Sequence, residues 1–173
     1  EPESLALLLS AVSLLVAGLS LGWQVAQWLL SAGRPRAVLF HGVWQGQSAI
    51  VGPVPKKGRP LNLDRLRSQG YDGPAVVGVE VTNHGRAPVT VEKVVLHTRG
   101  GKMSLVPIAE RLGPDLPYRL EPGTNASWYV DADHAVRLAE SSREVLKESV
   151  TGVYMVAQLA TGKSVKTRRT LRA

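Results

Sequence analysis

The hydrophobic pattern divides this chain in two. From Ser4 to Gly33 it reads SLALLLSAVSLLVAGLSLGWQVAQWLLSAG, with no charged residue, and Arg34-Pro35-Arg36 follows at once. Roughly 20 apolar residues at about 1.5 Å each cross the hydrocarbon of a bilayer, and Leu5 to Trp28 alone is long enough. Residues 1–33 are therefore predicted to form a transmembrane helix. A core helix of a soluble protein carries charge on one face. A secretory signal has a basic start and an apolar region of about 7–15 residues. This run is acidic at its start, with Glu1 and Glu3, and longer than either alternative requires.

After Gly33 the pattern becomes that of a β protein. Ala37–Trp44 is bulky and loosely alternating, and Gln47–Val51 continues it past a turn at Gly46. Residues 52–73 are rich in Pro, Gly and charge, which predicts a long loop with at most a short helix over Asp64–Gln69. Two β-branched runs follow, joined by Asn83-His84-Gly85-Arg86-Ala87. Val77, Val79 and Val81 alternate with Gly78, Glu80 and Thr82, and Val89, Val91 and Lys93 alternate against Thr90, Glu92 and Val94, giving each strand one dry and one wet face. Met103–Val106 begins another short strand, and Ala126–Val130 is a strand that buries Trp128.

Asp131 and Asp133 open a helix over residues 132–148, where acidic side chains cap free amides and oppose the helix dipole. Val136, Ala139, Leu146 and Val150 are its apolar positions. Gly152–Ala160 and Ser164–Leu171 close the chain as a hairpin around Thr161-Gly162-Lys163. Six to eight short strands with one helical insertion predict a mainly β domain over residues 34–173, an antiparallel sandwich behind a single transmembrane helix.

Within the apolar run the small and polar residues keep to one face. Ser10, Ser13, Ala17, Ser20, Gln24, Gln27 and Ser31 recur at alternating intervals of three and four. Apolar side chains gain nothing by meeting each other in lipid. Small residues that allow close approach, and amides that bond across helices, therefore mark a contact face, here one that assembles with a second copy or another membrane protein. Gly18, Gly22 and Ala26 form a second small-residue row. Trp23 and Trp28 with Arg34 and Arg36 are read as membrane-interface anchors.

All 21 Lys and Arg but only 12 of the 14 Asp and Glu follow Gly33, leaving that part at about +9. Basic residues near a span stay in the cytoplasm, so the β domain is expected inside the cell membrane and the amino terminus outside. Glu1 is not a translation start, so the sequence is read as lacking upstream residues whose charge would enter the same balance. Lys56, Lys57 and Arg59 are candidate contacts for acidic lipid. Nucleic acid is a poorer partner because no aromatic residue is interleaved with the basic clusters.

The absence of cysteine excludes disulfides, Cys-ligated zinc and thiol catalysis. His41, His84, His97 and His134 show no metal-ligand spacing on one element. Asp131-Ala132-Asp133-His134 reads either as a helix start or as a local cation site. No serine has a nucleophile-elbow context and no phosphate-binding loop is present, so no enzyme, cofactor or metal is expected.

Val81-Thr82-Asn83-His84-Gly85-Arg86-Ala87-Pro88-Val89-Thr90-Val91, followed by Leu120-Glu121-Pro122-Gly123-Thr124-Asn125-Ala126, resembles the paired V-x-N-x-G-x-x-P-V-x-V and L-x-P-G-x-x-A pattern of bacterial immunoglobulin-like modules. Short membrane-anchored actinobacterial proteins are similar over most of their length. The resemblance implies an adhesion, spacer or assembly domain rather than a reaction. The expectation is a non-enzymatic, single-pass membrane protein presenting a binding or scaffold module. The alternative is an oligomeric membrane effector whose helices form a pore or perturb the bilayer, with the sandwich as sensor or oligomerisation domain.

Overall fold

The computed structural model describes residues 2–108 and 111–172. Helix α1 (Pro2–Ser31) is continuous over 30 residues, and none of its residues is buried. It is about 45 Å long and apolar enough to cross a membrane. Because it leaves its whole surface outside the folded body, it is not a core helix.

The rest of the described chain is built on two antiparallel sheets, with two further helices. β1 (Pro35–Gln45) and β2 (Ser48–Pro53) form a hairpin around Gly46, whose φ of +61° suits a residue without a Cβ. With β3 (Ala75–Asn83) and β7 (Asn125–Asp131) they make a sheet in the order β2-β1-β3-β7. The second sheet centres on β4 (Val89–Arg99). It pairs on one edge with β5 (Ser104–Leu105) and β6 (Tyr118–Leu120), and on the other with β8 (Gly152–Leu159), which pairs with β9 (Ser164–Lys166).

Val79 stands opposite both Leu39 and Trp128, and Leu96 opposite Met155; all five are buried and belong to one hydrophobic cluster that joins the sheets. Trp128 satisfies its only donor by giving Nε1–H to the Pro114 carbonyl at 2.9 Å, and Tyr118 meets it edge-on at 6.0 Å. Burying a side chain of about 200 Å² contributes at most about 5 kcal/mol.

The sequence pattern departs from the structure at four places. In β4 a bulge sets Val91 and Lys93 against the consecutive residues Leu159 and Gln158, so Glu92 is the extra residue. Inward facing then passes from Val91 to Val94 and Leu96, and Lys93 lies exposed, off the face it would share with Val89. β6 is a strand where the sequence pattern indicated none.

The final strand stops at Lys166 rather than Leu171. The buried Thr167 hydroxyl accepts from Met155 N at 3.3 Å and donates to Arg169 O at 3.2 Å, so a side chain takes over the ladder before Leu171 rejoins Val153.

Helix α3 (Ala132–Val145) also ends early; α2 (Leu63–Arg67) is the short helix within the long loop. The stripe of α3 that packs is Ala132, Ala135, Leu138, Ala139 and Ser142, while Val136 and Leu146 are 46% and 47% exposed. Small side chains let α3 approach β3 and β7 of one sheet and β4 and β8 of the other. Ser142 Oγ donates to Glu148 Oε2 at 2.7 Å, and the same carboxylate accepts from Lys102 N at 2.9 Å. These bonds, that from Lys102 N first, hold the Glu148 pKa below its usual value.

To make that return the chain passes through Lys147 at φ +56°, a left-handed position. A side chain there costs roughly 1 kcal/mol relative to glycine. Lys147→Gly is expected to raise the unfolding free energy by about 0.5–1 kcal/mol in urea. A lower midpoint would contradict the left-handed turn.

Candidate functional site

The helix and the sheets meet without a linker, and the junction is the most densely bonded polar site described. Three residues separate α1 from β1, and the β3–β4 turn lies backbone to backbone against them. A Cβ on Gly85 would fall 2.3 Å from Ala32 O and 2.4 Å from Arg34 N, and one on Gly33 would fall 2.3 Å from Val89 Cγ2. Only glycine permits either approach. Across this contact Arg86 N donates to Ala32 O at 3.4 Å and His84 N to Arg34 O at 3.0 Å.

Asn83, fully buried, is the hub. Its Oδ1 accepts from Arg34 N (3.2 Å) and Gly85 N (3.0 Å), and its Nδ2 donates to Ala87 O (2.8 Å) and Leu120 O (3.3 Å). Both acceptor sites and both donors of the carboxamide are thus used. Its backbone donates to Thr124 O and accepts from Gly123 N at 2.9 and 2.8 Å. The two motif halves that carry the immunoglobulin-like resemblance therefore meet at one side chain, beneath the point where α1 enters.

On α1, a continuous helix aligns Ser10, Ser13, Ala17, Ser20, Gln24, Gln27 and Ser31 along one exposed stripe. Two of its hydroxyls are already used within the helix: Ser10 Oγ donates to Ala6 O (2.8 Å) and Ser31 Oγ to Trp28 O (2.7 Å). Gln24 and Gln27 have no side-chain partner among the described residues. Gly18, Gly22 and Ala26 instead line an apolar groove on another face, flanked by Leu19 and Trp23. Trp23 and Trp28 are 66% and 74% exposed. Arg34 is bound through its backbone to the junction, and Arg36 lines a hollow between β1 and the residues after β9.

Lys56 and Lys57 do not stand beside Arg34. They lie with Arg99, Arg168, Arg169 and Arg172 around a second hollow, which shares Arg168 and Arg169 with the first and which Arg59 does not line. Side chains bond the segment carrying them at both ends. Val54, fully buried, accepts from Arg169 Nη1 at 2.6 Å, and Leu61 N donates to His41 Nδ1 at 3.2 Å. His41 is 4% exposed, and burial lowers its pKa from the ordinary 6.5, favouring the neutral ring that can accept that bond. His97, stacked on Tyr154 at 5.5 Å, is lowered for the same reason. Asp131 serves as the cap of α3, accepting from Asp133 N at 2.9 Å.

Compared with family models, curated proteins and solved structures, the chain matches none.

Sequence reasoning placed Asn83 in a turn and did not single it out. The available signal was an Asn at a strand end with Gly two residues on, the spacing at which an Asx side chain bonds the following backbone. Meeting of the two basic stretches had no such signal, because it depends on the path of the loop after β2.

Asn83→Ala leaves Arg34 N, Gly85 N and two carbonyls without partners and is expected to cost about 3 kcal/mol or more, read as a shift in the urea midpoint. An effect near zero would contradict the hub. Stability should be level above about pH 6.5 and fall below it, because the unfolded imidazoles of His41 and His97 then take protons that the folded ones resist. The fall ends once pH is below their folded pKa values. His41→Asn keeps an acceptor for Leu61 N and should reduce that slope, leaving the share of His97. An unchanged slope would assign it elsewhere.

Proposed function

We propose that the chain is a non-enzymatic, single-pass membrane protein that presents an immunoglobulin-like module as a binding or scaffold unit and assembles through α1. The observation that carries this reading is a 30-residue apolar helix with no buried residue, joined to a β body by a bonded junction. A helix so exposed in water would be a large aggregation liability, whereas in lipid the same surface is favourable.

Strand order supports the immunoglobulin-like part. β1-β3-β7 and β4-β8-β9 correspond to the A-B-E and C-F-G neighbours of that sandwich, with β2 added beside β1 and α3 in the E–F connection. Arg34 and Arg36, directly after the span, favour a cytoplasmic β module at the cell membrane. Gln24 and Gln27 are the residues on which assembly depends most, since an unpaired amide in hydrocarbon is costly and a second helix can supply its partner. That second helix belongs to another copy or to another membrane protein.

Gln24→Leu with Gln27→Leu is expected to reduce the oligomer to monomer in mild detergent, read by light scattering, while leaving the urea midpoint of the β module unchanged. An unaltered mass would remove the interface. Liposomes carrying the wild-type protein should retain an entrapped dye, and leakage would favour the membrane effector over the scaffold.

A further inference from the structure

Two basic stretches far apart in sequence are locked together by backbone. Arg172 N donates to Gly58 O at 2.9 Å, and Gly58 (φ +69°) comes so near that a Cβ there would lie 2.5 Å from Thr170 O. Arg99, at the end of β4, closes the third side by donating from Nη1 to Thr170 Oγ1 at 3.1 Å. The hollow between them measures about 580 Å³. Its walls carry Lys56, Lys57, Arg99, Arg168, Arg169 and Arg172, and no carboxylate is among its described lining residues.

Six like charges do not gather for stability. The backbone locks hold them together against their repulsion, and a concave surface of one sign concentrates the field that draws in a counter-ion. We propose that this hollow binds a soluble anion bearing two or more phosphoryl groups. Guanidinium forks match phosphate oxygens two at a time, and lysines add point charge. The hydroxyl of Thr170 in the same wall, which accepts from Arg99, keeps its proton for a phosphate oxygen. The volume lies within the range of roughly 300–1,000 Å³ for small-ligand sites and is more than one phosphate fills. With no aromatic residue among the described lining residues, a nucleic acid strand would have nothing to stack on.

Position decides between a soluble phosphate and a lipid headgroup. Val89 packs on Gly33 where α1 ends, and Arg99 stands about 30 Å further along β4, although Arg168 and Arg169 on the opposite wall also border the hollow beside Arg36. With screening over about 8 Å at physiological salt, the charge of a bilayer at the junction does not reach the Arg99 wall. This choice of source rests on the anchoring proposed above, whereas phosphate binding itself does not.

The full chain, in nanodiscs of phosphatidylcholine, should bind inorganic tripolyphosphate saturably in a calorimetric titration at fixed ionic strength. Lys56→Gln, Lys57→Gln and Arg172→Gln together should weaken it at least tenfold; none of these side chains makes a described hydrogen bond. Lys93→Gln, Arg137→Gln and Lys163→Gln together remove equal charge elsewhere and should change it less than threefold. Equal weakening by both triples, or no saturable binding, overturns the site. In nanodiscs containing phosphatidylglycerol the affinity should be unchanged, and competitive loss would give the hollow to lipid phosphate and overturn the soluble source. Failure of the chain to enter nanodiscs would count against anchoring alone, and the same titration without lipid would still test the hollow.

Discussion

The buried carboxamide of Asn83 sets the relation between the helix and the sheets. Chain leaving a helix carries carbonyls without intrahelical partners, and a flexible tether would leave them to water. Here the β3–β4 turn bonds the carbonyls of Ala32 and Arg34 just after the helix, and Asn83 ties that turn to the start of β1 and to the segment before β7. Glycine at residue 85 lets the two backbones touch, and glycine at residue 33 leaves room for the Val89 side chain. Under the proposed function this has a mechanical consequence. With no linker to absorb motion, a rotation or tilt of α1 is passed to β1 and, through Leu39 and Val79, to the centre of the core.

Charge placement follows from the same geometry. Arg34 and Arg36 lie where the chain leaves α1, but Lys56 and Lys57 are carried by the loop after β2 to the opposite end of the second sheet. Under the proposed anchoring, the strand path carries those lysines away from the junction. One basic body would thus use charge in two ways under the proposed function: a few residues at the membrane surface, and a set gathered around a hollow. His41 belongs to the second arrangement, because it pins the far end of the loop that brings Lys56 and Lys57 into place.

Much of this was legible in the residues. The apolar run, the β-branched alternation at Val77, Val79 and Val81, the buried Trp128 and the acidic start of α3 follow from length, period and capping, all local properties. What escaped depends on partners distant in sequence. The Glu92 bulge is set by register against β8, the early end of β9 by the Thr167 hydroxyl, and the packed face of α3 by small residues that a hydrophobic pattern undervalues. Asn83 looked like an ordinary turn residue because its value lies in Arg34, 49 residues earlier, and Leu120, 37 later.

The most direct test of an anchored helix clasped by the β body is depth measurement by spin label. Cysteine is absent from the sequence, so Leu15→Cys, Arg86→Cys and Arg99→Cys each give a single site. In reconstituted membranes, collision with oxygen and with a water-soluble nickel complex should place residue 15 in hydrocarbon, residue 86 at the lipid surface and residue 99 in open water. A water-exposed residue 15, or a residue 86 as far from lipid as residue 99, would contradict it.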